Sequence, residues 1–137
     1  MCVHSLQYEA YHSAGLVARC TDGFVRYFDM ALPLALTKTD WVMSLEVGEH
    51  LPNMYEAMMV RNLHYHNCKG VILSWAVIGQ IGRHHLNCHS NMYLIRVFDA
   101  LGYTYDNKTT AIFRRPDGNY EWFTWSLMVF RRRTPAC

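Results

Sequence analysis

The apolar run Val71 to Ala76 constrains the fold of this 137-residue chain more than any other stretch. It has the length of a strand and lacks the regular polar alternation of a strand with one face in water. Such a run is typical of a parallel sheet that helices cover on both faces. The preceding segment, Asn53 to His64, carries apolar residues at helical spacing. A helix followed by a buried strand therefore predicts an α/β unit.

The same alternation continues on both sides of this unit. Trp41 to Leu45 is predicted as the strand before the helix, and Met92 to Leu101 as a helix that stops at Gly102. The other predicted elements are, in chain order, the helix Ser5 to Ala14, the strands Leu16 to Cys20 and Phe24 to Asp29, the loop Met30 to Thr39, the strand Tyr103 to Tyr105, the helix Asp106 to Arg114, the turn Pro116 to Asn119 and the strand Trp122 to Arg131. Because the last strand follows a turn and not a long helix, we expect it to be antiparallel. The sequence thus predicts an α/β fold with a doubly wound, mostly parallel sheet.

Composition and charge indicate one soluble domain over residues 1–137. With 51% hydrophobic and 18% charged residues, the chain is long enough for one packed core and too short for two. Its net charge of +2 does not amount to a nucleic-acid face, and no stretch has the pattern of a signal peptide or a membrane span. The five cysteines form no CxxC and leave an odd one over, so we expect no disulfide framework and a reducing, cytoplasmic compartment.

A polar cluster follows the strand Trp41 to Leu45. Glu46, Glu49 and His50 come directly after this strand. Ligands of open α/β sheets bind beyond the carboxyl ends of the strands, so these side chains are candidates for chemistry. The alternative is that Glu49 and His50 only cap the next helix, where an acidic group meets the positive end of the helix dipole.

Several stretches in this order, SLEVGEHLP, CKGVILSWA, WAVIGQIGRHHLN, LGYTYD and LMVFRR, resemble the class I S-adenosylmethionine-dependent methyltransferases, from about Gly15 to Arg133. The resemblance implies a Rossmann-like sheet and S-adenosylmethionine as the cofactor. It implies cofactor-binding roles for Asp22 at the ribose, Asp29 and Met30 near the adenine, and Leu45 and Glu46 beside the methionine part. The available bases for a hydroxyl or amine acceptor are then Glu49, His50 and the loop residue His85.

One part of the family pattern has no counterpart here. Such enzymes hold the cofactor with a first strand and a glycine-rich turn, but only 21 residues precede Asp22, and their single glycine is Gly15. We therefore expect an N-terminally incomplete domain, whose sheet another chain could complete. Two functions follow: a methyltransferase with an unknown small-molecule or macromolecular acceptor, or a non-catalytic remnant or interaction module that kept the fold.

The same acidic and histidine pattern leaves metal binding as an alternative. Glu46, Glu49 and His50, with a loop histidine such as His84, also resemble the metal-dependent branch that methylates vicinal hydroxyls, including small-RNA ends, and this resemblance implies a divalent ion. We favour the metal-free interpretation, because capping explains the pattern too. A zinc site could also be assembled from His64, His66 and Cys68 with His84, His85, Cys88 and His89. It is disfavoured by the spacing of His64-x-His66-x-Cys68, which scatters the side chains at a helix end.

Overall fold

The computed structural model describes residues 28–117 and 120–137. The predicted helix Ser5 to Ala14, the predicted strand Leu16 to Cys20 and Asp22 lie outside the described residues. The predicted strand Phe24 to Asp29 reaches them only at its last two positions, where no strand forms.

Four strands of the described residues form one mixed sheet. They are β1 (Thr39–Ser44), β2 (Asn67–Leu73), β3 (Tyr103–Tyr105) and β4 (Met128–Arg132), in the spatial order β1-β2-β4-β3. β1 pairs with β2 in parallel, and β4 is antiparallel to both β2 and β3. Three strands therefore run in one direction, and only the last opposes them. This arrangement confirms the predicted α/β class and the antiparallel final strand.

Helices connect the strands much as their periodicity predicts. They are α1 (Glu56–Tyr65), α2 (Asn91–Ala100), α3 (Asn107–Phe113) and α4 (Phe123–Ser126), with single 3-10 turns at Gly48–His50 and Asn53–Tyr55. The prediction of a long final strand from Trp122 to Arg131 is wrong in its first half, because Phe123–Ser126 forms α4. Backbone bonds four residues apart, from Ser126 N to Trp122 O at 3.0 Å, close this helix. The composition of the segment favours a strand, but these local hydrogen bonds and its tertiary contacts outweigh that preference.

The core lies between the sheet and the first two helices. Its fully buried members include Met59 of α1, Leu94 and Phe98 of α2, and Val71, Leu73, Met128 and Phe130 of the strands. Phe98 stacks on Phe130 with 4.3 Å between the ring centroids. These strand residues alternate along β2 and β4, so α1 and α2 pack on the same face of the sheet. This packing fixes the carboxyl ends of β1 and β2 side by side.

A disulfide joins Cys68 at the start of β2 to Cys137 at the end of the chain. The sequence analysis expected no disulfide framework and did not identify this pair, whose members are 69 residues apart and carry no local motif. The cytoplasmic compartment, which relied on the cysteine spacing, stays a prediction. No helix formed by the described residues is long and apolar enough to cross a membrane.

Asp106 caps α3 and joins it to β4, and its removal should destabilise the fold. Its carboxylate accepts bonds from Thr109 N at 2.9 Å, Thr109 Oγ1 at 2.7 Å and Arg131 Nε at 2.5 Å. These bonds lower the pKa of Asp106 to about 2. We expect Asp106→Ala to reduce the free energy of unfolding at pH 7 by about 1 to 2 kcal/mol in urea titrations.

The depressed pKa fixes the pH dependence of this effect. The stabilisation by Asp106 is complete above its ordinary pKa of 3.8 and is lost as the pH falls through about 2. The difference between wild type and variant should therefore shrink at pH 2. Asp40→Ala, which removes an exposed ion pair with Lys69, is the matched control and should change stability by less than about 1 kcal/mol. Equal losses in both variants would contradict the capping role.

Candidate active site

The chain leaves β1 through a sharp turn at the carboxyl end of the strand. Glu46 adopts a left-handed backbone with φ of 51°. The 3-10 turn Gly48–His50 follows, and a Cβ atom on Gly48 would lie 2.3 Å from the ring of Trp75. Glycine is thus required because the buried indole rests directly on the backbone. The turn carries Glu49 and His50 into the space beyond the strand.

Residues 77–90, here named the site loop, cover this turn. The carbonyl of Glu49 accepts bonds from Leu86 N at 2.7 Å and from Asn87 N at 3.0 Å. The far end of the loop is held by Glu56 of α1, which accepts bonds from Asn87 Nδ2 at 2.8 Å, His89 Nε2 at 2.6 Å and Tyr93 OH at 2.5 Å. Backbone bonds therefore fix the loop against the turn, and side-chain bonds fix its far end against α1.

Glu46 joins three parts of the site. One carboxylate oxygen accepts a bond from Gln80 Nε2 at 2.8 Å, and the other from Ser126 Oγ at 3.0 Å. The end of β1, the site loop and α4 therefore meet at this carboxylate. Because both oxygens are already bonded to the protein, Glu46 has a structural role here besides the predicted one at the cofactor.

The three residues predicted as bases lie together. One possible ligand atom from each of Glu49, His50 and His85 lies within 4.8 Å of the others. The two imidazole rings meet edge to face with their centroids 5.1 Å apart, and His50 Nε2 is 4.0 Å from Glu49 Oε1. His84, the loop histidine of the metal alternative, meets this group through its carbonyl, which lies 3.3 Å from His50 Nδ1. The structure thus selects His85 as the loop imidazole of the cluster.

The carboxylate of Glu49 is buried in an unusual way. Its side chain is 0% exposed, and among the described residues neither of its oxygens completes a hydrogen bond. Burial raises its pKa to about 7, and the nearby carboxyl group of Glu46 adds to this rise. The backbone N–H groups of Glu49 and Ala76 oppose it, although neither completes a hydrogen bond. A carboxyl group with such a pKa can hold or accept a proton near neutral pH.

The predicted cofactor residues separate in the structure. Met30 and Leu45 line a cavity of about 400 Å³ beside β1, together with Val42, Val47, Leu63 and other mainly apolar residues. Asp29 instead closes its own turn, accepting a bond from Ala31 N at 2.9 Å. A ligand site of this size lies at the lower end of the usual range, about 300 to 1,000 Å³. The roles of Asp22, Asp29, Met30, Leu45 and Glu46 at a cofactor stay predictions.

The residues His64, His66 and Cys68 of the alternative zinc site make other contacts. His66 bonds the backbone with both ring nitrogens, to Asn62 O at 2.7 Å and to Leu36 N at 3.0 Å. Cys68 is in the disulfide, and His64 Nδ1 lies 3.2 Å from the hydroxyl of Tyr103. These residues therefore hold the fold together at the start of β2.

Two contributors to the site escaped the sequence analysis. Gln80 binds Glu46, and its carbonyl lies 3.1 Å from His85 Nδ1. Gly82 lies under the ring of His85, since a Cβ there would be 2.0 Å from Nε2. The GQxG pattern of the loop contains both residues, but only the folded contacts show that they position the imidazole.

Comparisons with known proteins identify the fold. No protein-family model matches the chain, and no curated protein matches it. Among solved structures, magnesium protoporphyrin IX methyltransferase from Synechocystis PCC 6803 with bound SAH matches at a TM-score of 0.56 and 19% identity. The same enzyme with bound SAM matches at 0.53 and 18%. The matches cover 79% of this chain but only 50% and 46% of the two enzyme chains. The chain therefore has part of the fold of the class I S-adenosylmethionine-dependent methyltransferases and spans about half of these enzymes' length.

The buried carboxylate predicts a specific dependence of stability on pH. Because the pKa of Glu49 rises from 4.5 to about 7 on folding, its contribution to stability is complete below pH 4.5, declines as the pH rises from there and is lost above about 7. Glu49→Gln has no such titration, so with a chelator present it should be more stable than wild type at pH 8 by about 2 to 4 kcal/mol. Thermal unfolding from pH 5 to 8 measures the difference. The exposed Glu121→Gln is the matched control. Parallel pH curves for wild type and Glu49→Gln would contradict the prediction.

Proposed function

We propose that this chain carries the acceptor side and part of the cofactor side of an S-adenosylmethionine-dependent methyltransferase. The observation that carries the proposal is Glu49, a buried carboxylate without a completed hydrogen bond that faces two imidazoles beyond the end of β1. A purely structural carboxylate would be expected to have donors around it, as Glu56 has. Burying a carboxylate in this way costs free energy. Functional sites tolerate such a cost where the shifted pKa allows the group to take part in moving a proton.

The three side chains suit a hydroxyl or amine acceptor. The cofactor, when bound, supplies an electrophilic methyl group on a sulfonium. His50 or His85 can take the acceptor proton at Nε2, since the backbone carbonyls that accept from each Nδ1 orient the rings. The nearby carboxylate of Glu49 stabilises the imidazolium. The side chain of His50 is 39% exposed, so a proton can pass on to solvent. Transfer then depends mainly on how the two reactants are held in line.

The cavity beside β1 supports the cofactor side. Met30 and Leu45 present apolar surface there, which suits an adenine ring and a thioether chain. Asp22, Asp29 and Glu46 are proposed to contribute the polar contacts that the family resemblance implies. A glycine-rich turn is not formed by residues 28–117 or 120–137, so its contacts would have to come from elsewhere, including another chain.

Binding of S-adenosylhomocysteine tests the cofactor side. We expect calorimetric titration of the full chain to give a micromolar Kd. Met30→Ala removes part of the cavity wall and should weaken binding by about 10-fold, the effect of losing 1 to 2 kcal/mol of contact. Met54→Ala is the matched control, since Met54 is 78% exposed and does not line the cavity. No binding at millimolar ligand would refute the enzyme and assign the chain to the non-catalytic alternative.

Methyl transfer tests the acceptor side. With a panel of vicinal-diol, RNA 3′-end and amine acceptors, His85→Ala should lower the rate by about 10²- to 10⁴-fold, as expected for loss of a general base. His84→Asn is the control on the same loop, because it keeps the carbonyl that meets His50 and Asn tolerates the left-handed φ of 57°. Equal rates in the two variants would refute the role of His85.

A further inference from the structure

We infer that Glu49, His50 and His85 form a binding site for one divalent transition-metal ion of the zinc type. This inference deepens the proposed function and rests on it for its catalytic meaning, because the ion would lie at the acceptor side. The binding itself follows from the arrangement of the three side chains and can be measured without any cofactor.

The hydrogen bonds of the two histidines fix their tautomers. His50 Nδ1 lies 3.3 Å from the carbonyl of His84, and His85 Nδ1 lies 3.1 Å from the carbonyl of Gln80. A carbonyl only accepts, so each Nδ1 carries the proton and each neutral ring has its lone pair on Nε2. Histidines that bind metals show this same pattern, with the second ring nitrogen donating to a carbonyl or carboxylate.

The third member of the group also offers lone pairs that no described side chain satisfies. Glu49 is fully buried, and the backbone N–H groups of Glu49 and Ala76 that lie near its carboxylate do not complete hydrogen bonds to it. Three electron-pair donors thus lie within 4.8 Å of one another. A single proton can satisfy only one of them, whereas a cation satisfies all three. Zinc bonds of about 2.0 to 2.2 Å at tetrahedral angles place two ligand atoms roughly 3.3 to 3.6 Å apart, so the side chains would have to close on the ion by about 1 Å or slightly more.

The donor set determines which ion fits. Two imidazole nitrogens and one carboxylate oxygen are the protein ligands of many catalytic zinc sites, which leave a fourth position open. Magnesium prefers oxygen ligands in an octahedron, and the second carboxylate that could supply them, Glu46, is bonded to Gln80 and Ser126. This set therefore differs from the predicted alternative of Glu46, Glu49, His50 and His84. The exposed edge of His50 gives the ion a path from solvent.

The open fourth coordination position connects the ion to the proposed function. With both Nε2 lone pairs on the ion, the ion would replace the free imidazole base: an acceptor hydroxyl bound there would have a lower pKa, release its proton to solvent along the exposed edge of His50 and face the methyl donor in a fixed direction. The outer contacts of the site, Gln80 and the backbone at Gly82, would then act as positioning residues, because they hold the ring of His85 in place.

Calorimetric titration of the chelator-treated full chain with ZnCl₂ and MgCl₂, with no cofactor present, tests the site. We expect one zinc ion per chain and magnesium binding at least about 100-fold weaker, since nitrogen ligands favour zinc. Glu49→Gln and His85→Asn should each weaken zinc binding by at least about 100-fold, more than the loss of an outer contact usually costs. His84→Asn should bind zinc as wild type does.

Two further arms keep the result unambiguous. Glu49→Gln is expected to be at least as stable as wild type, so its loss of binding cannot result from unfolding. Gly82→Ala keeps all three ligands but pushes the ring of His85 aside, and should weaken zinc binding by about 10- to 100-fold. Zinc affinity equal to wild type in Glu49→Gln, or magnesium binding tighter than zinc, would overturn the inference. Zinc binding without S-adenosylhomocysteine binding would instead leave the metal site standing and refute the methyltransferase.

Discussion

The contact between Trp75 and Gly48 holds the site together. The indole is fully buried, rests on the backbone of the 3-10 turn and donates from Nε1 to the carbonyl of Asn87 at 2.6 Å. One side chain from the end of β2 thus fixes both the turn that carries Glu49 and the loop that carries His85. Any side chain at position 48 would separate these layers, because the indole has no free space into which to move.

The polar contacts around this centre divide into two groups with opposite character. Glu46 and Glu56 accept several hydrogen bonds each and fasten the site loop at its two ends. Glu49 lies between them with its oxygens unbonded. The neighbours that are fully satisfied rigidify the surroundings, and this rigidity makes it possible to keep one charged group in an unfavourable environment. Preorganisation of this kind is what a proton acceptor or a metal ligand requires.

The partial match to the methyltransferase fold agrees with the content of the described sheet. The described residues include β1, which leads into the turn of Glu49, and the antiparallel final strand β4, and β1 lies at one edge of the four described strands. In a twisted sheet the ligand site needs both neighbours at the point where the strand order reverses. The cavity lined by Met30 and Leu45 lies beside β1, next to this edge.

The sequence by itself determined the alternation of strands and helices and the position of the polar cluster, because hydrophobic period and chain order are local properties. The boundaries of β1, α1 and α2 agree with it to within about three residues. Tertiary structure alone decided that His85 and not His84 faces Glu49, that Glu46 is bonded to Gln80 and Ser126, and that the segment before β4 is helical. The disulfide of Cys68 was likewise decided by the tertiary structure alone. Each of these depends on partners distant in sequence, whose approach is set by packing and leaves no periodic signal in the chain.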